Sequence, residues 1–418
     1  MTKRLILAFV FLSWHLVACS NGDSGISSGL PDKPSAEEDS PGTETISEEM
    51  RVKITGEDLY ISAKLDAKTD ILYWFKKCMF NELFTFYRVG TIDNNMPAPA
   101  TLPDASPTSL LNLAYSDNIG PFNITGYGWC GGNHPYLDEV TQTARNIGYR
   151  IYIDGKEIKT DLSTLTKEIK IEVINEIMNP SKADTSSGKT LLNEILCIET
   201  VNYSIYRNNI QVLVTHEFQN ESPVTVQMYY GMQSMFDKET HTLTANGKYV
   251  DWTVQKDVST FTKKEYPSFR RFIEKSANVY QSSYLFADGL GNHEEISDDD
   301  IIFIGNSSNK TYHKIIADRE HKKGDIIHWS GVYTWFKSPV SDDDDLLCYE
   351  GVIDNKKVLF IDCKKNVDRT IQLPVDYTKK SFMIIEKSKS ITITGNKVTA
   401  KGLRIVSDGS GSCVITFD

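Results

Sequence analysis

Residues 210–236 read IQVLVTHEFQNESPVTVQMYYGMQSMF. In the first half, Ile210, Val212, Val214, His216 and Phe218 share one side of an alternating run, and Gln211, Leu213, Thr215 and Glu217 share the other. Period-two alternation of β-branched and aromatic residues is the mark of a half-buried strand. A polar turn follows, and a second run places Val224, Val226, Met228 and Tyr230 on one side, with Gln227, Tyr229 and Gln233 opposite. The stretch predicts a hairpin with one apolar and one more polar side.

The same alternation recurs at Val52–Ile54, Tyr149–Ile153, Ile169–Val173 and Ile391–Thr394. Asp154-Gly155, Asn208-Asn209, Asn246-Gly247, Asp354-Asn355 and Asp408-Gly409 supply turn chemistry between such runs. Helical signal is confined to residues 69–83 and 265–275. The fold class is therefore mostly β. Ser338-Pro339-Val340 and the acidic run Asp342–Asp345 interrupt the pattern. This divides the chain into a large β-sandwich domain over 51–338 and a small C-terminal β-sandwich over 339–418. No internal repeat is visible.

Residues 1–18 begin with Lys3 and Arg4 and continue as an apolar run from Leu5 to Val17. That run is shorter than the roughly 20 apolar residues of a membrane-spanning helix and fits the core of a secretory signal. It ends in Leu16-Val17-Ala18-Cys19, which resembles the lipobox of bacterial lipoproteins. The resemblance implies cleavage before Cys19 and lipid on its thiol. Residues 19–50 are rich in Ser, Gly, Pro, Asp and Glu, bury nothing apolar and read as a disordered acidic tether. The arrangement is similar to that of Bacteroidetes surface lipoproteins. It implies an outer-membrane anchor, at the cell surface or on the periplasmic face.

The formal net charge of −11 argues against a nucleic-acid partner, whose phosphates would be repelled. Besides Cys19 there are Cys78, Cys130, Cys197, Cys348, Cys363 and Cys413. An even number in an exported chain permits disulfides, and buried thiols fit equally well. Neither CxxC nor HExxH spacing occurs, so no metal site and no cofactor are expected. The acidic runs Asp298–Asp300 and Asp342–Asp345 match no EF-hand and read as solvated turns.

The 210–236 stretch, together with Gly324–Phe336 (GDIIHWSGVYTWF), resembles the galactose-mutarotase-like β-supersandwich. That resemblance implies a large supersandwich followed by a smaller β domain, as in several polysaccharide lyases. Mutarotases place a catalytic histidine just after the corresponding hairpin. Here Gln233 occupies that place, which argues against mutarotase activity, and the His134-Pro135-Tyr136 triplet lies some 100 residues earlier.

Residues 117–145, DNIGPFNITGYGWCGGNHPYLDEVTQTAR, form the densest unusual segment. Glycines allow close approach of backbone to ligand. Asn133, His134, Tyr136 and Arg145 are the residue types with which uronate lyases neutralise a carboxylate and move the C5 proton. They are the candidate catalytic residues. Trp129 and Tyr127 could stack on a sugar, with Glu217, Gln227, Tyr229 and Gln233 lining a groove on the hairpin's polar side. A purely structural glycine-rich loop fits the same residues. His216 falls on the apolar side and reads as a hydrogen-bonded core residue. Two functions follow from the reading. One is a surface lipoprotein that binds a polysaccharide or oligosaccharide and cleaves it by lyase-like chemistry. The other is a non-catalytic glycan-binding lipoprotein.

Overall fold

A computed structural model describes residues 46–101, 109–111, 120–235, 241–243, 249–251, 259–261, 271–276, 278–286, 289, 291–292, 302–305 and 310–418. The signal segment, Cys19, most of the tether, the Asn246-Gly247 turn and Asp298–Asp300 lie outside them. The described elements are β-strands, all paired antiparallel, with short 3-10 turns at Pro180–Lys182 and Val375–Tyr377.

A ten-stranded sheet forms the spine. At its centre run Ala144–Ile153, Ile169–Met178, Ile195–Tyr206, Asn209–Phe218, Ile326–Phe336 and Val279–Leu285. One face is covered by two six-stranded sheets. The first holds Met50–Thr55, Asp58–Asp66, Thr69–Cys78 and Leu83–Asp93. Its rings meet the spine through Phe84 against Tyr149 at 3.9 Å and Phe75 against Tyr203 at 5.2 Å. The second holds Phe122–Ile124, Gly128–Cys130, Val224–Met235 and Lys310–His321. One hydrophobic core runs through all three sheets.

From Ser341 onward the chain forms a five-stranded and a three-stranded sheet around a separate core that includes Leu346, Ile361, Leu403 and Ile415. The five-stranded sheet packs on the far face of the spine. Tyr349 stacks on Phe336 at 4.3 Å, and Val332 and Tyr284 join Leu347 and Phe360 in a third cluster. Apolar burial at about 25 cal/mol per Å² makes these clusters the main source of stability.

Residues 69–83 are not helical. Thr69–Cys78 is a strand and Leu83 begins the next, with Met79 and Glu82 at positive φ in the turn between them. Tyr73 and Phe75 are buried on one side, while Ile71 and Leu72 are buried on both sides. That double burial blurs period two into a helix-like pattern. Likewise Arg271–Ser276 is a strand, and residues 265–270 lie outside the described ones.

Residues 210–236 do not form a hairpin either. Asn209–Phe218 pairs with Ile195–Tyr206 and Ile326–Phe336 in the spine. Val224–Met235 pairs with Lys310–His321 and Phe122–Ile124 in the facing sheet. The polar turn carries the chain from one layer to the other. The acidic run Asp342–Asp345 is held by cations: Lys364 is 3.1 Å from Asp342, Arg369 2.7 Å from Asp343 and Lys365 2.8 Å from Asp345.

The six cysteines from Cys78 onward are buried thiols, and no disulfide joins them. Burial pushes the thiols of Cys130, Cys197 and Cys348 well above the ordinary range, which suppresses the reactive thiolate. A thiol reagent added to the folded chain is expected to leave all six unmodified, and to label all six in denaturant without reductant. Fewer than six reactive thiols in the denatured, unreduced chain would overturn the assignment.

Candidate functional site

The glycine-rich loop is fastened by one buried side chain. Asn81 sits in the turn after Thr69–Cys78 and is 2% exposed. Its Oδ1 accepts from the Thr143 N–H at 3.0 Å and the Ala144 N–H at 3.3 Å. Its Nδ2 donates to the carbonyls of Gly132 at 2.8 Å and His134 at 3.2 Å. The Thr143 hydroxyl donates to the His134 carbonyl and accepts from the Gly131 N–H at 3.0 Å. Asn133 Oδ1 accepts from the Phe80 N–H at 2.8 Å. Further out, Asp138 accepts from the N–H groups of Val140 and Thr141 at 3.0 and 2.9 Å. Bonds from Thr141 and Thr190 hold its carboxyl well below the usual carboxylate range.

Glycine is needed at the loop's entry. Gly120 has φ +85°, and a Cβ there would lie 1.6 Å from the Tyr230 carbonyl oxygen. The close approach brings the loop against the Val224–Met235 strand, and a row of rings results. Trp129 lies near-parallel to His134 at 5.4 Å and to Tyr230 at 6.1 Å, and Tyr230 meets Tyr312 at 5.1 Å. All four are half-buried. Tyr127, two residues before Trp129, is 42% exposed. The described residues contain four tryptophans. Trp74, Trp329 and Trp335 donate their indole N–H to Asp58, Tyr229 and Gln281. Trp129 makes no such bond among the described residues.

Arg145 does not join this surface. It lies on the outer face of the spine and pairs with Glu176. Glu217 lies on the same outer face, in the cross-strand row Arg145, Glu176, Ile198, Glu217. Three strand spacings, about 14 Å, separate its ends. Tyr136 is half-buried in the loop, where its N–H donates to the Thr141 carbonyl at 2.9 Å.

Two groove residues expected on the polar side are interior. Tyr229 is fully buried, stacks on Phe122 at 4.6 Å and accepts from Trp329 at 2.8 Å. Gln233 is fully buried, and its amide has no partner among the described residues. The cause is a register break between Val226 and Met228 against the Phe122–Ile124 strand. One extra residue leaves Gln227 exposed and reverses the parity, so that Tyr229 turns inward and Tyr230 outward. Tyr230 and Tyr312 are thus ring-row members that the sequence reading missed. The alternation Thr311, Tyr312, His313, Lys314, buried at the odd positions, carried the signal for Tyr312.

His216 is a core residue as expected. Its Nε2 lies 3.0 Å from Glu199 Oε2, and Glu199 Oε1 accepts from Asn175 at 2.9 Å. Asn146 extends this chain toward the surface, donating to Asn175 at 2.9 Å. Nearby His321 stacks on Phe218 at 4.4 Å, and its pKa is lowered to about 4, chiefly by desolvation. Among the described residues no group of three His, Cys, Asp or Glu side chains gathers where a metal ion could sit.

No family model matches the chain, and no curated protein matches it. Among solved structures it is similar to the GH36 alpha-galactosidase AgaA of Geobacillus stearothermophilus, solved with 1-deoxygalactonojirimycin. The TM-score is 0.36 at 10% identity over 67% of this chain and 41% of that one. The alpha-galactosidase AgaB of the same organism gives 0.36 and 10%, over 67% and 40%. A protein described as an aldose 1-epimerase from Klebsiella pneumoniae gives 0.25 and 8%, over 69% and 88%. The chain spans about two fifths of the length of the two galactosidases.

Asn81→Ala strands several buried backbone groups, each costing about 1–3 kcal/mol when unsatisfied. The variant is expected to lose roughly 3 kcal/mol in denaturant titration, and a protease is expected to cut first within residues 126–142. Wild-type stability with an uncut loop would show that Asn81 is not the fastener.

Proposed function

We propose that this chain is a lipid-anchored, glycan-binding protein of the outer membrane, which holds a polysaccharide or oligosaccharide on the ring row around Trp129. The observation that carries the reading is the state of Trp129 itself. It is a half-exposed indole with an uncommitted donor, set in a row with His134, Tyr230 and Tyr312. Pyranose C–H faces pack on such rings, and the sugar hydroxyls would take the indole N–H.

Binding is favoured over lyase-like cleavage by what the candidate catalytic groups already do. Asn133 Oδ1 serves the Phe80 backbone, and Arg145 is paired with Glu176 on the adjacent strand of the spine. A proton-abstraction site needs its groups within hydrogen-bond reach of one substrate carbon, and Arg145 lies apart from the loop that carries Asn133, His134 and Tyr136. Anchoring is read from the lipobox-like Leu16–Cys19, with the acidic tether holding the folded part off the membrane. The acidic balance supports a neutral or weakly charged ligand at this surface rather than nucleic acid.

Trp129→Ala is expected to weaken retention on the recognised polymer about tenfold or more in affinity electrophoresis, as loss of a central aromatic contact does. Trp74→Phe, on the N-terminal sheet, is expected to leave retention unchanged. Equal retention by wild type and Trp129→Ala across a panel of neutral and acidic glycans would refute the binding surface. For the anchor, Cys19→Ser is expected to move the chain from the detergent phase to the aqueous phase on phase separation. An unchanged partition would refute lipidation.

A further inference from the structure

The turn joining Ile195–Tyr206 to Asn209–Phe218 carries an arginine where a glycine or asparagine would be easier. Arg207 has φ +48°, a region that costs a residue with a Cβ on the order of 1 kcal/mol. Its backbone is pinned there. The Tyr73 hydroxyl donates to its carbonyl at 2.9 Å, and its N–H points at Met50 Sδ at 3.1 Å. Asn208 next to it bonds the Trp335 carbonyl at 2.5 Å.

The charge on Arg207 is left over. Its Nε is buried without an acceptor, and its longest reach is Nη2 to the Lys64 carbonyl at 3.5 Å. Among the described residues no carboxylate pairs with it. The neighbouring acids are taken. Asp70 holds Lys64 at 2.9 Å, Asp66 holds Lys337 at 3.0 Å, and Glu350 accepts from the Tyr377 hydroxyl. Arg207 lines a cleft of about 560 Å³ between the spine and the C-terminal sheets, walled by Tyr206, Phe336, Val352 and Pro374. Exposed Lys167 adds a cation at its rim; Lys337 and Lys357 also line it, held by Asp66 at 3.0 Å and by Glu48, itself a cleft residue, at 3.6 Å. None of the Trp129 ring row lines this cleft.

We propose that the cleft is a second binding site, which takes the carboxylate of an acidic sugar on Arg207. A strained, partly buried cation without a counterion is costly on its own and is completed by an oxyanion, which a guanidinium meets with two parallel bonds. The apolar walls suit the sugar body, and the volume falls in the range of small-ligand sites. That the oxyanion is borne by a sugar rests on the glycan-binding reading; the anion site itself does not.

The test uses the whole chain in thermal-shift and calorimetric titration with glucuronate, acetate, sulfate and glucose, against sodium chloride at matched ionic strength. Glucuronate is expected to raise the melting temperature by several degrees, and glucose to leave it unchanged. Arg207→Asn suits the left-handed turn, so it is expected to melt no lower than wild type while losing the glucuronate response. Lys167→Gln is expected to weaken that response several-fold. A glucuronate shift retained by Arg207→Asn, or no larger than the chloride control in wild type, overturns the site. Equal shifts from acetate, sulfate and glucuronate overturn the saccharide assignment. If Trp129→Ala still binds polymer while Arg207→Asn loses glucuronate, the ring-row reading fails and the cleft stands. The reverse pattern sinks the cleft alone.

Discussion

The structure depends on a strand that has no solvent face over most of its length. Along Ile326–Phe336, Trp329, Tyr333 and Trp335 enter the core shared by the first three sheets. Val332 and Phe336 enter the cluster shared with the C-terminal sheets. Each large ring also brings a polar tip into the interior, and each tip is bonded: Trp329 to Tyr229, Tyr333 to the Gln233 carbonyl, Trp335 to Gln281. Each such group buried without a partner would cost about 1–3 kcal/mol. The bonds to Tyr229 and Gln233 therefore fix which residues of the facing sheet lie opposite, and with them the register that turns Tyr230 outward.

Much of the fold was legible. Alternation at Ile210–Phe218 identified both the strand and its buried side, because one face of that strand meets core and the other meets solvent. Reading failed where that condition failed. Thr69–Cys78 is buried on both sides near its start and lost its period. Val224–Met235 carries a bulge at Gln227, where one inserted residue turns Tyr229 inward and Tyr230 outward, and further register breaks follow, none of them with a mark in the composition. The supposed hairpin was lost for a different reason. A short polar turn is compatible with pairing or with a change of layer, and long-range partners decide which.

The site was legible in part. The glycine-rich segment was singled out by its composition, and Trp129 and His134 do lie together. What the residue types could not show was prior commitment. Asn133 and Arg145 look like substrate ligands by type, yet their polar atoms serve the fold or a neighbouring carboxylate. Arg207 escaped notice because its interest lies in a backbone angle and a missing counterion, neither of which is a local pattern.

The Asn81 clamp bears on how recognition would proceed. Five contacts of one amide complete the ordering of the Gly131–Ala144 loop when the chain folds. Binding need not then immobilise that loop, which spares about 0.5–1.5 kcal/mol for each side chain already held. Association on such a surface is a rigid-body encounter with a small heat-capacity signature beyond the contact area itself. On the proposed reading its selectivity would reside in the spacing of the rings, with little room to adapt to a differently shaped ligand.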